Sequence, residues 1–388
     1  MSGSQVSGNA VSGNAVSDGP APGGAIAAII SWRTAGILVI AAALAFFPLV
    51  FTNGLADTIG VDAVIFVSAA AAWNIFSGYS GYISLGHAVF FGTGAYTVAI
   101  GARDWHLTGD AVFALLPLAA AVAAAVAVPL GLVALRVRRH TFVVVTIAFF
   151  FIFQLMAFNF SFTAGSTGII APVLNWQPTT YDNPFYYTAL GIAAATTALA
   201  WLIRGSRFGL QLRAIRDDED RARGLGVRAM RVKLAALVIS AFITGLVGGL
   251  WFYFIGEALP QFAFDPIFDL SVALMAFLGG LGTVAGPVLG ALIIESAQQY
   301  LTTTISNDYL SEILLGALFL AVILLLPRGV IPTASEKISQ WRARRHAAAD
   351  SAAAAAAPGP AGSPGPAGPT GSATVGAAGK AAADEDPP

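Results

Sequence analysis

The chain has 388 residues, of which 56% are hydrophobic and only 11% charged, with a mean hydropathy of +0.74. A soluble domain carries about 25% charged residues, so water is excluded as the main solvent. The formal net charge of −1 argues against a nucleic-acid partner, and the lack of cysteine excludes disulfides, thiolate metal sites and cysteine nucleophiles.

Residues 1–31 contain the repeat VSGNAVSGNAVSD followed by Pro and Gly, and read as a disordered N-terminal segment too small in side chain to bury a core. Apolar runs then recur at Ala35–Phe51, Ala63–Ser77, Ala88–Ile100, Ala111–Leu135, Thr141–Phe158, Phe185–Ile203, Leu234–Ile255, Ile267–Leu278, Pro287–Leu301 and Ser311–Leu326. Crossing the hydrocarbon layer takes about 20 apolar residues in a helix that satisfies its own backbone. These runs predict an all-α, polytopic transmembrane bundle of about 8–10 spans over residues 32–330. The first run follows Arg33 but starts late in the chain, and reads as an uncleaved span rather than a secretory signal. A basic segment, 331–346, and an Ala/Pro/Gly-rich tail, 347–388, read as cytoplasmic and the tail as disordered.

Charge gives an independent check on this layout, because Lys and Arg collect in cytoplasmic loops. With the N-terminus inside and ten crossings, nineteen of twenty basic residues fall inside and only Arg103 outside, which also puts the C-terminus inside. Trp32, Trp105, Trp176 and Trp201 sit near proposed span ends, where interfacial anchors are expected.

Segment 204–233, RGSRFGLQLRAIRDDEDRARGLGVRAMRVK, is the longest charged stretch between two spans. Leu212, Ile215, Ala222 and Leu225 recur at near-helical spacing among the charges, so a short helix can present an apolar face to a cytoplasmic partner. The alternative is a solvated loop with no partner. Gly282, Gly286 and Gly290 form two G-xxx-G steps and Gly245 with Gly249 a third, the small-residue faces that let membrane helices approach closely. In Gly78–Gly86, Gly, Ser and Tyr stand where a lipid-facing helix has Leu or Val, so this stretch either borders a translocation path or makes a tight turn. Glu295 lies within a span and is a functional candidate or a packed protonated acid; Asp269 lies near the start of another span, and His87 at a membrane boundary reads first as a hydrogen-bonded structural residue.

Three blocks carry a resemblance. The stretch SRFGLQLRAIRDDEDRARGLGV is similar to the coupling loop of the branched-chain amino acid ABC transporter permeases (LivM-like), with Glu219, Ala222, Gly226 and Val227 on matching positions. Residues 74–97, NIFSGYSGYISLGHAVFFGTGAYT, and 268–294, FDLSVALMAFLGGLGTVAGPVLGALII, resemble two further signatures of that family, and LPRGV resembles its usual ending. Arg221 and Gly224 depart from it where small alanines are usual. The resemblance implies a loop, including Arg216 and Asp218, that transmits ATPase closure to the membrane helices. Independently of the resemblance, Asn74, Gly78, Gly81, Ser84, His87 and Glu295 are the candidate residues of a translocation path.

No lysine stands in a G-xxxx-G-K-[ST] motif, and there is no H-E-x-x-H, no G-x-S-x-G and no paired His/Cys set. The chain thus offers no catalytic or metal-ligating residues and no cofactor site of its own. The expectation is a multi-pass permease in the plasma membrane of a prokaryote, surrounded by membrane lipid. Its expected partners are a second related permease, two cytoplasmic ABC ATPase subunits that bind ATP and Mg, and an extracytoplasmic solute-binding protein. The expected cargo is a branched-chain or other apolar amino acid, with urea or short amides as the alternative. An ion-driven secondary transporter is the rival mechanism, and a membrane enzyme the rival class.

Overall fold

A computed structural model describes residues 54–172 and 182–304, with scattered positions between 310 and 330. The expected first span, the expected tails, Trp32 and Trp176 lie outside the described residues, as does most of the last span.

The described chain is helical apart from one pair of two-residue strands. Helix α1 (Gly54–Trp73) runs into a π-helical turn, Asn74–Gly78. An irregular segment follows, and α2 (His87–Asp104) begins beyond it. A 3-10 turn at Gly109–Leu115 leads into α3 (Leu116–Ala134), then come α4 (Arg139–Asn159) and α5 (Asp182–Gly205). The charged segment forms two short helices, α6 (Arg207–Asp217) and α7 (Glu219–Gly224), before α8 (Ala229–Ile255). One turn, α9 (Pro260–Ala263), precedes α10 (Pro266–Gly279) and α11 (Ala285–Thr304). Strands β1 (Ile169–Ile170) and β2 (Glu257–Ala258) pair antiparallel, Ile169 opposite Ala258 and Ile170 opposite Glu257.

Six stretches among the described residues are long and apolar enough to cross a membrane: Thr58–Gly78, Gly109–Ala134, Arg139–Asn159, Asn183–Gly205, Ala229–Ile255 and Pro260–Gly279. The runs read at Ala88–Ile100 and Pro287–Leu301 are helices α2 and α11, but ones carrying His87, Arg103 and Asp104 or Glu295, Gln298 and Gln299. Within the Thr58–Gly78 stretch 89% of the hydrophobic window is buried, against 22% for Arg139–Asn159, so α1 is central and α4 peripheral. Accordingly Val144, Phe151, Ile152 and Leu155 of α4 point outward, as lipid-facing residues do.

Helix α8 packs against α1, α2 and α3, and glycine makes this possible. A Cβ on Gly245 would lie 2.3 Å from the Ala123 side chain, and one on Gly249 would lie 2.7 Å from Val98. These two glycines therefore seat α8 on α3 and α2, where bare backbone substitutes for side-chain volume. Gly286 and Gly290 serve the α10–α11 pair, since a Cβ on Gly290 would meet the Met275 carbonyl at 1.8 Å. Gly282 corrects the sequence reading. It lies outside α11, in the turn before it, with φ +76°, so it shares no helix face with Gly286 and Gly290. The spacing alone does not reveal where a helix starts.

The bundle has two chemically distinct ends. Arg139 donates to the Ile215 and Arg216 carbonyls (2.5 and 2.7 Å), and Arg216 to the Gly78 carbonyl (2.8 Å), which gathers the basic residues at one end. At the other end Arg103 reaches the Phe162 carbonyl (3.2 Å), Tyr253 the Gly109 carbonyl (2.8 Å), and β1 pairs with β2.

Candidate functional site: a coupling surface joined to a re-entrant segment

Two capping side chains shape the charged segment. Ser206 accepts from the Gly209 amide (3.2 Å) to start α6, and Asp218 accepts from the Asp220 and Arg221 amides (both 3.0 Å) to start α7. Asp218, itself extended, divides what the spacing predicts as a single helix. Helix α7 ends at Gly224, the chain reverses at Gly226 (φ +87°), and the Val227 amide returns to the Ala222 carbonyl (3.0 Å).

The apolar face of this segment corrects the expectation. Leu212 and Ile215 are fully buried and Ala222 nearly so, because α6 and α7 lie on the end of the bundle with that stripe turned inward. Only Leu210 (57% exposed) and Leu225 (86%) face away, beside the exposed charges of Asp220 and Arg221. The outward surface is therefore charged with two apolar points, rather than an apolar groove-filler.

Glu219 is the centre of the segment. Its carboxylate accepts from Lys233 Nζ (2.8 Å), from Arg223 (2.5 Å) and from the Tyr82 hydroxyl, while Lys233 Nζ also donates to Tyr82 Oη (3.0 Å). Burial works against ionisation of Glu219, but the hydrogen bonds and positive charges of Lys233 and Arg223 outweigh it and hold the carboxyl below its usual range. Burial and the hydrogen bond to Glu219 push the Tyr82 phenol up, so it remains a donor. Lys233, placed by the sequence in the solvated loop, is 1% exposed inside α8. The acid opposite it is what makes that burial tolerable.

All three sequence blocks meet here. Asn74 Oδ1 accepts from the Gly282 amide (2.8 Å) and its Nδ2 donates to the Thr283 carbonyl (2.9 Å), tying the π-helical turn to the loop between α10 and α11. Gly81 (φ +74°) packs against Arg216, and a Cβ on Gly282 would lie 2.5 Å from the Arg216 guanidinium. Asn74→Leu strands the paired amide and carbonyl, each costing about 1–3 kcal/mol when buried. We expect a lower thermal midpoint of the detergent-extracted protein, checked by a melting curve.

From Tyr82 the chain does not turn back at the surface. Residues 81–86 run into the bundle without helix or strand, and side chains satisfy their backbone: Trp73 Nε1 donates to the Ser84 carbonyl (2.8 Å), the Ser84 amide to Ser77 Oγ (3.2 Å) and the Leu85 amide to Thr146 Oγ1 (3.2 Å). Irregular backbone at such a depth needs this internal satisfaction. Ser84, Gly86, Phe142, Thr146, Phe149 and Leu237 help line a small, mostly apolar cavity beside it.

His87, fully enclosed at the start of α2, bonds through Nδ1 to Ser84 Oγ (3.0 Å) and through Nε2 to Ser240 Oγ (2.7 Å). Ser240 spends its own hydrogen on the Ala72 carbonyl (2.6 Å), so Nε2 carries the imidazole proton and Nδ1 accepts from Ser84. Asp269, which the sequence marks only by its place near a span start, accepts from the Ala88 amide (3.1 Å) and supports the N-terminus of α2 inside the bundle. Glu295 is buried on α11 with Asp62 of α1 nearby, away from this network, and its Oε2 finds no partner among the described residues. No group of three or more His, Cys, Asp or Glu able to hold a metal ion occurs among the described residues.

Comparison with known proteins gives the family. Residues 55–323 match the model of the branched-chain amino acid transport system / permease component. The chain belongs to that permease family. It is 28% identical over 327 residues to the high-affinity branched-chain amino acid transport system permease protein LivM of Salmonella typhimurium, covering 76% of this chain and 73% of that one. LivM of Escherichia coli K12 matches with the same identity and coverage. The permease protein LivH of E. coli K12 is 31% identical over 137 residues, 35% of this chain and 44% of the relative. No solved structure matches the chain. Every member of the Asn74, Arg216 and Glu219 networks lies within the matched residues.

Proposed function

We propose that this chain is the membrane-spanning permease subunit of an ATP-driven ABC importer for branched-chain or other apolar amino acids. The observation that carries the mechanism is the α6–α7 unit, which rests on the bundle through Arg139, Arg216 and Glu219 while exposing charge, Leu210 and Leu225 outward. In this reading the basic end faces the cytoplasm of a prokaryotic cell, in keeping with the bias of Lys and Arg. An ATPase gripping α6–α7 in two orientations shifts the permease between two states, because only differential affinity moves such an equilibrium.

The partners are a second related permease, two ATPase chains that carry ATP and Mg, and a solute-binding protein outside. That relatives of two kinds, LivM and LivH, are both named permease proteins of high-affinity branched-chain amino acid transport supports a permease pair. The segment Gly78–Gly86, with Ser84 and His87, borders the route, and its lack of fixed charge suits a zwitterion with an apolar side chain. Buried Glu295 beside Asp62, together with buried Asp269, favours an ion-driven carrier instead.

Co-purification after mild detergent extraction, followed by uptake of labelled L-leucine into vesicles, separates the two. The expected result is an accompanying nucleotide-hydrolysing chain and uptake that stops when it is removed. Uptake driven by an ion gradient in its absence rejects the importer reading.

A further inference from the structure

Tyr82 and Lys233 belong to none of the matched coupling positions, yet both end on Glu219. From Glu219 two limbs run into the bundle. One follows the irregular chain from Tyr82 to Ser84 and His87. The other follows α8 from Lys233 to Ser240, two turns and roughly 10 Å further in. The limbs rejoin at one imidazole, which holds Ser84 Oγ at 3.0 Å and Ser240 Oγ at 2.7 Å. The result is a closed frame with Glu219 at its outer corner and His87 at its inner one. Lys233 Nζ also stands 4.2 Å from the Tyr82 ring centroid, which binds the two limbs where they leave Glu219.

A frame closed at both corners behaves as one body. Were Glu219 tied to a single limb, displacement of α7 would shear the irregular segment against α8; tied to both, it moves them together. We propose that Tyr82 and Lys233 are positioning residues that carry displacement of the α6–α7 unit to the re-entrant segment and His87. The inference rests on the importer reading, and gives that reading its route from the coupling surface to the membrane interior.

The natural absence of cysteine permits a direct test. Spin labels at Ile83→Cys and Trp105→Cys, both exposed and at opposite ends of the bundle, report the distance between the re-entrant segment and the far end. The measurement uses the complete complex with its ATPase chains, nucleotide-free and with ATP. In the otherwise unchanged protein a nucleotide-dependent shift of about 2 Å or more is expected, the scale of helix displacements in switching proteins. Tyr82→Phe, which keeps the ring and removes the hydroxyl, and Lys233→Met should each reduce that shift at least twofold while the ATPase still co-purifies. Lys233→Arg, which keeps the charge, should retain more of it than Lys233→Met. Should either disabling variant fail to assemble, the other decides alone. An undiminished shift in an assembled variant, or no shift in the parent complex, overturns the proposal. A complex without any ATPase chain overturns the importer reading instead.

Discussion

Gly94→Leu is expected to leave no monodisperse permease after detergent extraction. A Cβ at Gly94 would lie 1.9 Å from the Gly245 carbonyl oxygen, and one at Gly248 2.0 Å from the Phe91 carbonyl oxygen, so α2 and α8 touch backbone to backbone. No rotamer change relieves such a clash; the helices themselves must separate. Overpacking a well-filled interior costs about 1–3 kcal/mol when side chains can adjust, and more when backbone must move. In lipid the loss is compounded, because contact rather than expulsion from water holds helices together. Size-exclusion profiles of Gly94→Leu and Gly94→Ala should show aggregation in that order of severity, whereas Gly191→Ala on α5, which meets nothing within 4 Å, should elute normally. Unaltered elution and melting of Gly94→Leu would falsify the packing argument.

Removing the charge of Glu219 is the second large effect. Glu219→Gln leaves Lys233, 1% exposed, without its counter-charge. Breaking a buried pair in this one-sided way costs about 3–5 kcal/mol, and the partial exposure of Glu219 puts the expected loss near the lower figure. It should appear as faster hydrogen exchange across residues 214–226. Restoring the balance with Glu219→Gln/Lys233→Met should recover much of the protection, since the orphaned charge is then gone.

Acid should reproduce the single variant. The folded carboxyl titrates below its ordinary value of 4.5, so its stabilisation is full above that pH and is lost as pH falls through the lower folded value. Protection of residues 214–226 is expected to stay level from neutral pH down to the ordinary value and to drop only beneath it, with no such drop in Glu219→Gln. A decline already complete near neutrality would mean that another group controls the segment.

The sequence discloses the helices and the glycine faces well, because both are local properties. Apolar runs mark α3, α4 and α5 nearly to their ends, and Gly245 with Gly249 marks a surface on which two neighbours sit. The sequence is less informative where a long-range partner decides. Lys233 reads as a loop cation because its counter-ion is not visible in a hydropathy pattern, and α8 in fact starts at Ala229, before it. Leu212, Ile215 and Ala222 show their spacing in sequence but not which body they face. The irregular entry of residues 81–86 is legible only as an unusual composition; that Trp73, Ser77 and Thr146 satisfy its backbone emerges from the tertiary contacts. Asp269 supports a helix end 181 residues earlier in the chain.

The two-rung pairing of Ile169–Ile170 with Glu257–Ala258 has a mechanical corollary. It staples the loop after α4 to the residues that end α8, and Gly168 is pressed close enough to the Ala258 carbonyl that a Cβ would stand 2.6 Å away. Helix α8, 27 residues and about 40 Å long, is thus held at both tips, by this clasp at one and by the Lys233–Glu219 pair at the other. The little clasp closes the far end of α8 as the ion pair closes the near one, so neither tip shifts without disturbing a contact to another part of the chain.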